Sequence, residues 1–213
     1  MFARILLAFA LLPLAGAAQA QLIGGPREGR DYIVLEGAQP FSADRGKIEV
    51  AEVFAYTCIH CARLEPIFNA WKARQPAHVN VLKVPTSFGG SQETLARAHY
   101  AAEALGIIDT AGPALFDAFH LQGRQFRNEA DIVGFFVEHG ADREQFVATM
   151  RSFSVNARIN RGRQVLPRWN IEGTPAIIVA GKYQVMAGNE RGFEGMLEVV
   201  DQLVAREHAA ASN

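Results

Sequence analysis

The feature that most constrains the fold is a change of hydrophobic pattern that falls on a pair of cysteines. Residues 48–56 are mostly β-branched and apolar, which predicts a buried strand. Over residues 59–75 the apolar side chains instead follow the spacing of one helix face. Cys58 and Cys61 lie where the predicted strand gives way to the predicted helix. The sequence therefore predicts a β-α unit with two thiols at the start of its helix.

Short apolar runs elsewhere predict the remaining strands. Residues 32–35 and 78–84 are two of them, and residues 176–180 and 183–186 are two more. The last two are joined by Gly181-Lys182, which favours a tight hairpin. A helix closes the chain, so a β-α-β unit at the front and a β-β-α unit at the back are expected to share one sheet.

The middle of the chain predicts helices only. Residues 92–151 contain no convincing strand and carry about four apolar stripes at helical spacing, separated by glycines. A further helix is predicted at residues 154–169. The class is therefore α/β, with a compact helical block inserted between the two halves of the sheet.

The first twenty residues have the pattern of a secretory signal peptide. Arg4 precedes an almost unbroken apolar run at residues 5–14, and Ala18-Gln19-Ala20 supplies a small-x-small cleavage signal. The run is shorter than the roughly 20 apolar residues that a membrane span requires. We therefore predict a signal peptide at residues 1–20 that is removed after Ala20, rather than a membrane anchor. An exported chain meets conditions in which disulfides persist.

Composition narrows the function further. The chain is 49% hydrophobic and 20% charged, with a formal net charge of -1, so it can form an ordinary globular core. It lacks the basic stripe that is typical of nucleic-acid binding, and we expect no nucleic-acid partner.

The two cysteines of the chain are separated by two residues, and a disulfide between them closes too short a loop to stabilise the fold much. Redox chemistry is the favoured use of this pair.

The predicted position of the cysteines supplies a mechanism for that chemistry. A helix N-terminus carries about half a positive charge and unpaired N–H groups, which stabilise a thiolate and lower its pKa. We expect Cys58 to be the exposed nucleophile and Cys61, one turn along, to be the resolving thiol. His60 lies between them, and its ring can favour the thiolate by a hydrogen bond or by its charge. A stabilised thiolate makes the disulfide more oxidising.

Several segments together match the pattern of one family. They are VFAYTCIHC at residues 53–61, Leu64-Glu65, Phe88-Gly89-Gly90, IEGTP at residues 171–175 and VAGKY at residues 179–183. On these segments the sequence resembles the DsbA family of bacterial periplasmic thiol:disulfide interchange proteins, over almost the whole chain after the signal peptide. The resemblance implies a thioredoxin fold with an inserted helical domain.

The resemblance also implies a domain division and an activity. The thioredoxin-like domain would comprise residues 21–88 and 154–213, and the inserted helical domain residues 89–153. The protein would donate the Cys58–Cys61 disulfide to newly exported proteins with reduced cysteines. A quinone-linked membrane oxidase of the DsbB type would reoxidise it. Two departures leave its reduction potential open: Ile59 stands where many members have proline, and Thr57 where many have an aromatic residue.

The turn Gly173-Thr174-Pro175 is a candidate substrate-binding element. A proline at the first residue of a strand fits the known positional preference, and a cis bond is possible before it. The resemblance implies that the bond before Pro175 is cis. The backbone of Thr174 would then face an extended substrate.

Glu52 is a candidate proton relay, six residues before Cys58 on the predicted strand. The resemblance implies a buried acid here, close to Cys61. A buried acid is costly unless it is paired, and Lys83 on the next strand is a candidate partner. The alternative is a salt bridge without a catalytic role.

Two other functions remain open. A periplasmic disulfide reductase or isomerase is the first, although isomerases of this fold usually carry an N-terminal dimerisation domain, for which residues 21–46 are too few. The second is a periplasmic metal carrier that uses the cysteine pair and His60. A zinc site needs two further ligands, and extra Met, His or Cys near the pair is not evident. We therefore expect a monomer without a metal or another cofactor.

Overall fold

The computed structural model describes residues 25–42, 44, 46–186 and 192–211. The predicted signal peptide lies outside these residues. Within them, no helix is both long enough and apolar enough to cross a membrane. The elements follow in this order: β1 (Tyr32–Val34), β2 (Ile48–Phe54), α1 (Ile59–Lys72), β3 (Val79–Pro85), α2 (Gly90–Ala104), α3 (Ile108–His120), α4 (Glu129–Glu138), α5 (Arg143–Met150), α6 (Phe153–Val165), β4 (Ala176–Val179), β5 (Tyr183–Val185) and α7 (Gly192–Ala211).

The described strands form one five-stranded sheet in the order β1-β5-β4-β2-β3. Strand β2 lies inside the sheet, parallel to β3 and antiparallel to β4. A strand with neighbours on both edges and helices on both faces is buried along nearly its whole length, which explains its continuous apolar run. The prediction that the front and back units share one sheet is confirmed.

The two faces of the sheet bury different helices, because successive side chains of a strand point to opposite sides. Val50 of β2 belongs to a core cluster that includes side chains of α1 and α7. Its neighbour Ala51 belongs to a second cluster, with side chains of α2 and α6. Helices therefore cover both sides of β2, and the end of β2 leads directly into the cysteine pair.

Four helices, α2–α5, occupy the predicted helical block. Their shared core is rich in aromatic residues and also includes Phe54, Tyr56 and Cys61, so the block packs against the end of β2 and the start of α1. Two predicted boundaries differ. Strand β2 ends at Phe54 rather than at residue 56, since the chain turns there. Helix α6 ends at Val165 rather than at residue 169, because Pro167 lacks the N–H that would continue it.

The predicted hairpin between β4 and β5 is present, and its turn requires glycine. Ala180 and Gly181 both have positive φ, 54° and 64°, as in turns that join twisted strands. A Cβ atom on Gly181 would lie 2.3 Å from the backbone nitrogen of Pro40. The hairpin thus packs directly on the loop that precedes β2.

Candidate active site

Cys58 is the N-cap residue of α1. Its sulfur accepts a hydrogen bond from the N–H of Cys61 at 3.3 Å. The main chain reaches this position through a tight turn, in which the N–H of Cys58 donates to the carbonyl of Ala55 at 3.0 Å. The strand therefore ends, the chain reverses, and the sulfur lies against the free N–H groups of the first helical turn.

This position activates the Cys58 thiol. Partial burial alone would raise its pKa, but hydrogen bonds from Cys61 and Thr174 and from the main chain of His60 outweigh burial and lower the pKa below its ordinary value. The protonated thiol also donates to the main-chain carbonyl of Thr174 at 3.2 Å, a contact that favours the thiol form but does not reverse the net lowering of the pKa. Cys58 is thus the thiol of the pair that ionises more readily.

Cys61 has the opposite character. It is fully buried, among residues of the helical-block core. Burial, followed by its hydrogen bond with Cys58, raises the pKa of the Cys61 thiol well above its ordinary value. A pair in which one sulfur ionises readily and the other stays protonated is suited to stepwise thiol exchange, since the two sulfurs then have distinct roles.

His60 is exposed on the first turn of α1. Its main-chain N–H is one of the groups that lower the pKa of Cys58. Its ring makes no hydrogen bond to another residue within the part of the chain that the structure describes. An influence of the ring on the Cys58 thiolate therefore stays a prediction.

The Gly173-Thr174-Pro175 turn lies beside the cysteines, as the contact between Cys58 and the Thr174 carbonyl shows. The bond between Thr174 and Pro175 is cis. Next to it is a groove of about 280 Å³, whose lining includes Thr174, Pro175, Gln184 and Met186. The turn, the groove and the partly exposed Cys58 sulfur are thus neighbours.

Glu52 and Lys83 are register partners on the parallel strands β2 and β3. The Lys83 nitrogen lies 3.6 Å from an oxygen of Glu52, which is within ion-pair range but too long for a hydrogen bond. The same nitrogen hydrogen-bonds to a carboxylate oxygen of Glu65 on α1. Lys83 therefore forms ion pairs with two buried acids, and its nitrogen lies closer to Glu65 than to Glu52.

Sequence reasoning missed Glu65 as a member of this cluster. The signal was present, because the buried residues of α1 are Cys61, Leu64, Glu65, Phe68 and Trp71. An acid within that apolar stripe must face the sheet, where it needs a cationic partner. The stripe alone could have identified Glu65 as a buried acid, although not Lys83 as its partner.

The negative charge of Glu52 is less well compensated than that of Glu65, which accepts hydrogen bonds from Asn69 and Lys83. Glu52 is fully buried, and neither carboxylate oxygen has a hydrogen-bond partner among the described residues. Burial raises its pKa, Lys83 opposes that effect, and the negative charge of Glu65 adds to it, so the pKa of Glu52 is raised to about 7. Glu52 can therefore gain or lose a proton near neutral pH.

The sequence profile of the DSBA-like thioredoxin domain family matches residues 49–195, which is more than half of the chain. The chain belongs to this family. Curated relatives agree: the thiol:disulfide interchange protein DsbA of Burkholderia cepacia is 34% identical over 190 residues, which cover 89% of each chain. That of Bordetella parapertussis is 35% identical over 208 residues, covering 96% of each.

Solved structures of the family have the same fold. The crystal structure of oxidoreductase DsbA from Xylella fastidiosa is 37% identical, with a TM-score of 0.79 over 86% of this chain and 98% of that one. DsbA from Pseudomonas aeruginosa is 30% identical, with a TM-score of 0.81 over 87% and 96%. Membership in this DsbA family makes the protein a thiol:disulfide oxidoreductase that acts on proteins with cysteines, and the predicted fold class is confirmed.

Proposed function

We propose that the protein oxidises exported proteins by donating a disulfide between Cys58 and Cys61. The observation that carries the proposal is the contrast between the two thiols. Cys58 is partly exposed and its pKa is lowered, whereas Cys61 is fully buried and its pKa is raised. The stabilised thiolate favours the reduced state of the pair, and that preference makes its disulfide an oxidant.

The exchange runs in two steps. A substrate thiolate attacks the Cys58 sulfur, the bond between Cys58 and Cys61 breaks, and Cys61 leaves with the electron pair. A second substrate thiolate then attacks the substrate sulfur of the mixed disulfide, and Cys58 leaves as a thiolate. The substrate is oxidised by two electrons, and the cysteine pair is reduced by two.

Glu52 is our candidate for the group that donates a proton to Cys61 when the disulfide opens. Cys61 leaves as a thiolate that burial disfavours, so it must accept a proton. The carboxyl of Glu52 can release one, because its pKa of about 7 leaves a substantial protonated fraction near neutral pH. Lys83, 3.6 Å from Glu52, would stabilise the carboxylate that remains.

Thr174 and Pro175 are our candidates for positioning the substrate. The carbonyl of Thr174 is 3.2 Å from the Cys58 sulfur, so a chain lying extended along this edge would bring its own sulfur close to Cys58. The adjoining groove supplies room for its side chains.

Export and reoxidation complete the proposal. The signal pattern at residues 1–20 and membership in the family support a periplasmic location. In each cycle the pair ends in the reduced form, so an electron acceptor must restore the disulfide. We assign that role to a quinone-linked membrane oxidase of the DsbB type. We also propose that residues 89–153 form a distinct inserted domain.

Trapping of mixed disulfides tests the assignment of the two thiols. Cys61→Ser should accumulate mixed disulfides through Cys58 with a reduced, unfolded substrate, whereas Cys58→Ser should accumulate few. Equal trapping by the two variants would contradict the assignment.

Denaturant unfolding of both redox forms tests whether the protein acts as an oxidant or as a reductant. The oxidised form should be the less stable of the two, and the opposite order would favour a reductase.

A further inference from the structure

Tyr56 lies in the loop between β2 and α1, two residues before Cys58, and is buried. Its ring packs edge-on against Phe54, with 5.1 Å between the ring centroids. It also packs against Phe116 of α3, with 4.8 Å between centroids. The loop that carries the reactive cysteine is therefore in direct contact with the helical block.

Two histidines of the helical block hold Tyr56 at its two polar ends. The Tyr56 hydroxyl is 2.9 Å from Nδ1 of His99 on α2. The Tyr56 carbonyl is 2.9 Å from Nε2 of His120, in the last turn of α3. Since a carbonyl can only accept, Nε2 of His120 carries the hydrogen of that bond. Side chains from two separate helices thus fix one residue of the loop.

The neighbours of His99 indicate the direction of its hydrogen bond, because the carboxylate of Glu103 near Nε2 can only accept a hydrogen. Burial, assisted by the positive charges of Lys83 and Arg158, lowers the pKa of His99 well below its ordinary value, so the ring is neutral. Burial raises the pKa of Tyr56 well above its ordinary value, so its hydroxyl keeps its proton and can donate it to Nδ1. The hydrogen of His99 is then on Nε2, which is aimed toward Glu103 at 3.8 Å.

This arrangement lies at a polar cavity between the sheet and the helical block. The cavity has a volume of about 30 Å³, and its lining includes Tyr56, His99, Glu103 and Phe116. Nε2 of His99 is buried and has no hydrogen-bond partner among the described residues. A histidine used only to fill the core would be costly here, since an apolar ring would fill the same space without a buried polar atom.

We propose that His99 and His120 are positioning residues, which act through Tyr56 to hold the Cys58 sulfur against its hydrogen-bonding partners. The inference rests on the proposed role of Cys58 as the attacking thiol. It gives the helical block a part in the chemistry, because the reactivity of Cys58 depends on contacts that α2 and α3 make. Loss of either contact lets the loop relax and weakens the bonds that favour the thiolate.

Substitutions at His120 test the contact with the carbonyl. His120→Leu removes the donor, and we expect the pKa of Cys58 to rise by about half to one unit, the size of one lost hydrogen bond. His120→Gln supplies an amide N–H and should restore most of the parental value. The matched control is His139→Leu, because the ring of His139 also contacts a backbone carbonyl of the helical block, that of Phe135 at 2.8 Å. The control should leave the pKa of Cys58 unchanged.

A double-mutant cycle tests the contact with the hydroxyl. Tyr56→Phe and His99→Phe each remove one partner and keep an aromatic ring, so both should raise the pKa of Cys58. The double variant should show about the same rise as one single variant, because both changes break the same bond. Ultraviolet absorbance of the thiolate against pH gives the pKa, and alkylation by a small reagent gives the matching loss of rate.

The readout separates positioning from a purely structural role. Variants that lose stability but keep the parental pKa and alkylation rate of Cys58 would show that the histidines only support the fold, and the proposal would be wrong. Tyr56→Phe deletes a single oxygen, so it keeps the test usable if a histidine variant folds poorly. Thiol titration needs no substrate, so this failure is distinct from equal trapping by the two cysteine variants, which would overturn the proposed function.

Discussion

Glutamine at position 52 should stabilise the reduced protein at neutral pH, even though it removes a charge from an ion pair. Glu52 is fully buried, its oxygens lack hydrogen-bond partners among the described residues, and Lys83 is 3.6 Å away. Its pKa is raised from 4.5 to about 7 in the folded protein. The folded state therefore holds this proton more tightly than the unfolded chain does.

The sign and size of the effect follow from proton linkage. Between about pH 4.5 and pH 7 the folded protein binds more protons than the unfolded chain, so stability falls as the pH rises. A rise in pKa from 4.5 to about 7 corresponds to a loss of about 3 kcal/mol once the pH exceeds the folded value. Glu52→Gln is exempt from this loss, so its advantage should be near zero at about pH 4 and reach about 3 kcal/mol at about pH 8.

Urea unfolding of the reduced protein across this pH range measures the difference. Glu49→Gln is the matched control, because Glu49 is a buried acid on the same strand. Its carboxylate accepts hydrogen bonds from the main-chain N–H groups of Phe41 and Ser42, at 2.6 and 2.7 Å. Glutamine there should destabilise the protein by about 1.5–3 kcal/mol, because it weakens bonds to a charged group. Parallel stability curves for Glu52→Gln and the parent would refute the electrostatic argument.

Three further experiments test other parts of the structure. Gly181→Ala and its control Gly37→Ala both place alanine at a φ of 64°, but of these two sites only Gly181 has a backbone atom 2.3 Å from the new Cβ. Thermal unfolding should therefore show that Gly181→Ala loses about 1–3 kcal/mol more stability than Gly37→Ala. Lys83→Met leaves two buried acids without their cation and should cost about 3–5 kcal/mol at about pH 8, with a smaller cost at about pH 5, in urea unfolding. His60→Ala should raise the pKa of Cys58 and lower the reduction potential in glutathione equilibration if the ring acts on the thiolate; unchanged values would assign the activation to the helix N-terminus alone.

Local pattern was sufficient to place the cysteines. The change from the apolar run of β2 to the helical spacing of α1 is a property of adjacent residues, so it fixed the N-terminal position of Cys58 without knowledge of the fold. The hairpin turn at Gly181 and the four helices of the block were predictable for the same reason.

Contacts between distant segments were not predictable in this way. Tyr56 meets His99 and His120 only because the helical block folds back onto the end of β2, and no local pattern encodes that approach. The pairing of Glu52 with Lys83 was foreseen from neighbouring strands, whereas the closer bond between Lys83 and Glu65 depends on how α1 lies across them. Such choices among partners are decided by three-dimensional packing.

The strand order also has a consequence for the sequence in which parts of the molecule can form during synthesis. Strand β1 is made early, yet its partner is β5, with Val34 opposite Tyr183. Its hydrogen bonds must wait until nearly the whole chain has been made. The β2-α1-β3 unit, in contrast, is complete once residue 85 has emerged, and it already carries both cysteines. The thiols can thus take their places at the helix N-terminus while β1, at the opposite edge of the sheet, still waits for β5 to be synthesised.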